Sequence, residues 1–223
     1  MEKTTNKIKS LLVKKINAEE IEFDEKDIKV LEKNEVVIKV KYVPLIHYDL
    51  MKMSGVTGAQ FPYTPCVECS GIIEDANNKS LVGKKVSFLS LKFGCLSNRI
   101  IASEDEILIL NDDADLLSGS QMSCNPFTAS GIVDMAISLN AKAFAITAGN
   151  SHVGKIISNI AKDKGLACIS IVRSDEKLKE MESEGFKFVI NSSKETFVED
   201  LNKLMIEVEA NILFDTLAGS IVG

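Results

Sequence analysis

Arginine is scarce in this 223-residue chain: of its 26 basic residues, only Arg99 and Arg173 are arginine. Where each one falls is therefore informative. Proline (4) and glycine (13) are also few, and no repeat or low-complexity tract is present. No apolar run approaches the roughly 20 residues of a membrane helix. Met1-Glu2-Lys3-Thr4-Thr5 has no apolar signal core behind its charges. The five cysteines (66, 69, 95, 124, 168) are odd in number and scattered through apolar segments, which reads as reduced thiols and excludes a disulfide framework. A net charge of −6 argues against nucleic acid as the main partner, because phosphate binding needs a clustered positive surface. What is there is a 45% hydrophobic composition, enough for a real core. The expectation is a cytoplasmic protein in two parts, without nucleic-acid or membrane partners.

The two parts differ in rhythm. Short β-branched runs at 7–13, 35–43, 69–74, 85–91, 97–102 and 106–110 predict a β-rich first domain over 1–118. A second domain is expected over 119–223, starting with a helix from Ser120 to Leu139 that has Pro126 near its start, where proline is tolerated best. Strands at 144–148, 167–172, 186–190 and 212–215 then alternate with helices at 153–164, 176–184 and 196–208, and Gly165 and Gly185 sit where helix ends belong. Such alternation means βαβ units and a parallel sheet, here in the doubly wound order 3-2-1-4. The fold class is α/β.

Between the first strand and the next helix lies Ala148-Gly149-Asn150-Ser151-His152-Val153-Gly154. A dinucleotide site needs a tight turn, close backbone approach to pyrophosphate, and a helix N-terminus whose free N–H groups face the anion. Gly149 and Gly154 suit the turn and the close helix–strand packing. Ser151 stands where the G-x-G-x-x-G pattern has its middle glycine, so strand–turn–helix context carries the signal. Gly149, Asn150, Ser151, His152 and Val153 are the candidate phosphate contacts; a ring at His152 can cover the pyrophosphate or lie on the surface. The second strand ends in Val172-Arg173-Ser174, where an NAD site places an acid for the ribose. A guanidinium with Ser174 and Lys177 suits a 2′-phosphate, which favours NADPH. Asp175 keeps NADH open as the lesser option. Asp215, ending the fourth strand, lies across the switch-point crevice and is a further candidate.

The segments Pro62–Glu74 (PYTPCVECSGIIE), Val82–Val86 (VGKKV), Asn125–Ala129 (NPFTA), Asn150–Gly154 (NSHVG) and Phe214–Gly219 (FDTLAG) resemble those of the medium-chain dehydrogenase/reductase superfamily. Within it, the chain looks like the zinc-independent branch of quinone oxidoreductases and enoyl reductases. The resemblance implies a GroES-like β domain followed by a Rossmann domain binding NADPH. It implies hydride transfer to a quinone or an activated double bond (enal, enone or enoyl thioester). Asn125 and Thr128 would then lie beside the nicotinamide and the substrate carbonyl. Where such enoyl reductases carry a tyrosine, this chain has Val56 and Thr57, so Tyr48 is the nearest phenol, with Tyr63 next. The positions of the family's zinc ligands look like Ile46, Val67 and Cys124, too few donors for a tetrahedral site, and no metal is expected. The resemblance implies a homodimeric full-length parent, and four Rossmann strands where six are usual imply a truncated product or partial chain. They would leave the 212–214 strand as an apolar edge. The rival expectation is a catalytically impaired nucleotide-binding protein or an inactive fragment.

Overall fold

In the computed structural model, which describes residues 7–92 and 94–217, the chain divides into two compact units after Cys124. This falls later than the 118/119 boundary expected from the sequence. The reason is local: Ser123 Oγ lies 2.6 Å from Ser87 Oγ, and the Cys124 N–H donates to Glu68 Oε2 at 2.9 Å. These bonds fasten the segment before Asn125 to the first unit.

The first unit is β-rich. β1 (Lys7–Leu12) and β2 (Glu22–Asp27) form an antiparallel ribbon. β3 (Glu35–Tyr42), β4 (Glu68–Ala76), β5 (Lys85–Leu89), β6 (Arg99–Ser103) and β7 (Ile107–Ile109) form an antiparallel sheet in the order β6-β3-β4-β5-β7. Side chains alternate across a strand, so Val36 and Ile38 share one face with Val86 and Phe88, and with Ile100 and Ala102; these pack with Ile73 into one core. Two short helices complete the unit: α1 (His47–Met53) and α2 (Leu116–Gly119).

β2 and α1 have no apolar signature. In β2, five of six residues are charged, and its Phe23 is 85% exposed. Its strand state comes from the ladder with β1 and from the Lys7–Glu25 pair at 2.5 Å. α1 is anchored by the buried Asp49, whose Oδ2 accepts from Ile46 N–H at 3.0 Å and whose Oδ1 accepts from Cys66 N–H at 3.1 Å. Burial pushes its carboxyl pKa up, and the N–H groups partly offset that.

The second unit holds α3 (Asn125–Ser138), β8 (Ala143–Ile146), α4 (His152–Asp163), β9 (Ala167–Val172), α5 (Asp175–Ser183), β10 (Val189–Asn191), α6 (Phe197–Glu207) and β11 (Ala210–Phe214). All its strand pairings are parallel, and the order β10-β9-β8-β11 is the expected 3-2-1-4. Phe144 and Ile146 of β8 pack against Ala129 and Val133 of α3 and Ile157 and Ala161 of α4. Ala145, between them, faces the other way, with Ile169, Ile171 and Leu201 and Leu204 of α6. The sheet is thus covered on both faces, as a doubly wound fold requires. The helix expected over 120–139 is α3 alone, which starts only at Asn125; residues 120–124 are not helical, and α2 ends before them. Pro126 lacks an N–H and biases its predecessor away from the helical region, so α3 starts there afresh. Among the described residues β11 pairs only with β8 and forms the anticipated edge, its Phe214 ring edge-on to Phe144 at 5.4 Å. No helix among the described residues is long and apolar enough to cross a membrane.

Of the two arginines, Arg99 is structural. It is 8% exposed, its Nε donates to Glu74 Oε2, and its Nη2 donates to Glu74 Oε1 at 2.9 Å. This fork ties β6 to β4 across β3. The guanidinium holds the Glu74 carboxyl below its usual 4.5. A carboxyl with a depressed folded-state pKa stabilises the fold above its unfolded-state value, and that stabilisation is lost as pH falls through the folded-state pKa. Glu74→Gln should therefore cost about 1–3 kcal/mol in urea unfolding at pH 7. Its difference from the parent should shrink as the pH is taken below 4.5.

Candidate nucleotide-binding site

The parallel strands bring their C-terminal ends to one side of the second unit. There Thr147, Ala148, Asn150, Ser151, Ile171, Val172, Arg173, Ser192 and Leu217 line a cleft of about 200 Å3. The turn leaving β8 is stitched to both neighbouring strands: Thr147 N–H donates to Phe214 O at 3.1 Å, and Gly149 N–H donates to Ile171 O at 2.9 Å. A Cβ on Gly149 would lie 2.4 Å from Ser170 Cβ, and one on Gly154 would lie 2.6 Å from the carbonyl oxygens of Ala148 and Gly149. Both glycines are needed for close packing. Ser151 needs no such freedom. It is the N-cap of α4, its Oγ accepting from Gly154 N–H at 3.0 Å, and it keeps its hydroxyl proton for an outside acceptor. The first N–H groups of a helix have no intrahelical acceptor, and those of α4 follow directly on Asn150 and Ser151, which line the cleft.

At the end of β9 the candidates part company. Arg173 is exposed, lines the cleft, and has no hydrogen-bond or ion-pair partner among the described residues. Ser174 is the N-cap of α5, its Oγ accepting from Lys177 N–H at 3.2 Å. Lys177 Nζ donates to Glu180 Oε2 at 2.6 Å, a bond that raises the lysine pKa. Neither Ser174 nor Lys177 is among the cleft-lining residues. Val153 points into the apolar core beneath α4, so only its backbone N–H could serve an anion. Asp215 closes the seam between β8 and β11: its Oδ1 accepts from the buried Thr147 Oγ at 2.7 Å and from Leu217 N–H at 3.1 Å.

Thr147, Ser192 and Leu217 went unread in the sequence, although each follows the end of a strand. The available signal was the rule that ligands sit at the carboxyl ends of parallel strands.

Two other candidates are brought together. Asn125, opening α3, has its Nδ2 3.1 Å from Nδ1 of His152, which opens α4. Read as an amide donor, Asn125 makes that ring nitrogen the acceptor, leaves Nε2–H to face outward, and keeps its own Oδ1 available. Thr128 is exposed, one turn further along α3. Tyr48 belongs to α1 of the first unit and is 40% exposed. In that unit Tyr63 has a buried hydroxyl without a hydrogen-bond partner among the described residues, and burial foremost pushes its pKa up to about 12.

At the positions compared with zinc ligands, Ile46 caps α1, Val67 is buried, and Cys124 is a half-buried thiol whose pKa is raised by burial first and then by Glu68 and Asp49. Among the described residues no group of three or more His, Cys, Asp or Glu side chains is placed to hold a metal ion.

Residues 32–111 match the alcohol dehydrogenase GroES-like domain. Over 138 residues the chain is 32% identical to the mitochondrial enoyl-[acyl-carrier-protein] reductase of Saccharomyces cerevisiae, covering 56% of this chain and 36% of that one, so the match spans about a third of the relative. A structure from Mesorhizobium loti, described as an NADPH:quinone reductase, superposes with a TM-score of 0.81 at 25% identity, over 97% of this chain and 69% of that one. A mycobacterial protein complexed with NADPH superposes with a TM-score of 0.73 at 18% identity, over 89% of this chain and 62% of that one, a likeness of fold alone. With the two-unit architecture, these matches bear out the resemblance to the medium-chain dehydrogenase/reductase superfamily, with a GroES-like β unit followed by Rossmann strands.

The capping by Ser151 can be measured directly. Ser151→Ala should lower the unfolding free energy by about 1 kcal/mol, whereas Ser151→Gly should lower it by only a few tenths, because glycine is itself an acceptable cap. Equal losses in urea unfolding would contradict the cap.

Proposed function

We propose that this chain is the substrate-side and nucleotide-binding part of an NADPH-dependent oxidoreductase that delivers hydride to a quinone or an activated double bond. The observation that carries the reading is Arg173: a guanidinium without a partner among the described residues, on a cleft formed where parallel strands end beside a phosphate-type turn. The donor set suits NADPH. Ser151 and the first-turn N–H groups of α4 offer uncharged donors to a pyrophosphate, and Arg173 offers a charged, planar one to a 2′-phosphate. The names of the relatives, an enoyl reductase and an NADPH:quinone reductase, agree with this class, as does the NADPH held by the mycobacterial structure.

When bound, the nicotinamide supplies the hydride. The chain's own residues orient and exclude. The Asn125 carboxamide, steadied by His152, offers an acceptor and a second N–H to a ligand at the α3 N-terminus. Thr128 offers a hydroxyl on the same helix. A quinone can take its proton from water, so it needs no acid from the protein; a reduced enoyl thioester gains more from a placed donor. Tyr48 is the phenol proposed for that part.

Two measurements test the reading. NADPH should raise the thermal unfolding temperature more than NADH does, and Arg173→Ala should weaken NADPH about tenfold or more while leaving NADH nearly unchanged. Equal stabilisation by the two nucleotides would remove Arg173 from the site. The second measurement is turnover of 1,2-naphthoquinone or an enal with NADPH. Binding without turnover would favour a nucleotide-binding protein that has lost catalysis.

A further inference from the structure

Asp175 opens α5 two positions after Arg173, at the strand end where an acid accepts hydrogen bonds from a ribose and repels a 2′-phosphate. Its carboxylate is turned elsewhere. Asn191 Nδ2 donates to Asp175 Oδ1 at 3.0 Å, and Lys194 Nζ lies 3.4 Å from the same oxygen. Asn191 is a firm holder. It ends β10, is 2% exposed, and its own Oδ1 accepts from the N–H and the hydroxyl of Ser193, both at 2.9 Å. In the parallel ladder Asn191 stands opposite Val172, so strand register fixes it beside the start of α5. The Asn191 bond, helped by Lys194, also keeps the Asp175 carboxyl below its usual range. Asp175 is therefore a full negative charge at neutral pH. Among the described residues lining the cleft, Arg173 is the one that carries a charge.

We propose that Asn191 is a specificity-determining residue for the nucleotide: by holding Asp175 against the end of β10, it leaves Arg173 unopposed at the ribose end and so selects NADPH over NADH. The inference rests on the NADP(H) reading of the cleft. It assigns the selectivity to a clamp behind the cleft as well as to the arginine within it.

The test is nucleotide affinity of the purified chain, read by titration of NADPH and NADH fluorescence, with no turnover required. The unmodified chain should prefer NADPH by at least tenfold; equal affinities, or no binding, would withdraw the NADP(H) reading itself. Given that preference, Asn191→Ser should release the carboxylate and lower the NADPH:NADH ratio about tenfold, mainly by weakening NADPH. Adding Asp175→Ala to Asn191→Ser should restore the ratio. A ratio unchanged by Asn191→Ser, or lowered but not restored, would overturn the clamp while leaving the cleft assignment standing. Asp175→Ala alone, a change at an exposed helix-start residue, keeps the test decisive if Asn191→Ser does not fold. A clamped carboxylate plays no part in binding, so the ratio should stay within twofold. A marked loss of NADH affinity in that variant would show Asp175 already reading the ribose, and would overturn the proposal.

Discussion

The site depends on one short strand. β8 is four residues long and buried on both faces, with Phe144 and Ile146 committed to one helical layer and Ala145 to the other. A strand pinned by side chains on both faces can neither rotate nor slip by one residue, since a slip would exchange its two faces. Its parallel pairing with β9 and β11 then fixes where the chain must turn. The turn itself is laced to both neighbours by Thr147 and Gly149 and closed by the contact of Gly154 with the turn's own carbonyls. The cleft follows from that placement, and everything a nucleotide could touch in the second unit is positioned relative to it.

Legibility in the sequence followed the physics of each element. The βαβ alternation, the strand order and the turn between β8 and α4 were readable because hydrophobic period and strand–turn–helix context are local signals. β2 was not, because its strand state comes from pairing with β1 and its composition is almost wholly charged. α1 was not, because its anchor is Asp49, whose partners include Cys66 far along the chain. Among the residues that line the cleft, Asn150, Ser151 and Arg173 stand at positions that the motif marks. Ser174 and Lys177 were read by proximity to Arg173, yet the start of α5 uses the serine as a cap and Glu180 takes the lysine. Ser192 and Leu217 reach the cleft only through the topology, which brings the ends of four strands together.

The scarcity of arginine sharpens this reading. Both arginines offer the same planar fork, and their environments give it opposite uses. At Arg99 a carboxylate sits within reach on a neighbouring strand, and the pair is largely withdrawn from water, so the fork is satisfied internally. At Arg173 the nearest acid in sequence, Asp175, is already held by Asn191 and Lys194. A cation without a partner among the described residues, on a concave surface beside helix N-termini, presents its donors to whatever anion enters.

That contrast carries beyond arginine. Around the cleft most polar side chains are already engaged in holding the fold. Ser151 and Ser174 cap helices, Asp215 and Thr147 seal a strand seam, Lys177 pairs on its own helix, and Asn125 and His152 hold each other. Such groups can still contribute a hydroxyl proton, a second lone pair or a ring N–H to a ligand, but they do so from fixed positions and lose no folded-state bond in the process. Preorganisation of this kind lowers the entropy cost of binding, since the donors are ordered before the ligand arrives. It also leaves discrimination to the few groups that remain uncommitted. Under the NADP(H) reading proposed for the cleft, and with the neighbouring acid restrained, Arg173 is the group that would distinguish a phosphate from a hydroxyl at the ribose, while the scaffold around it would supply affinity common to both nucleotides.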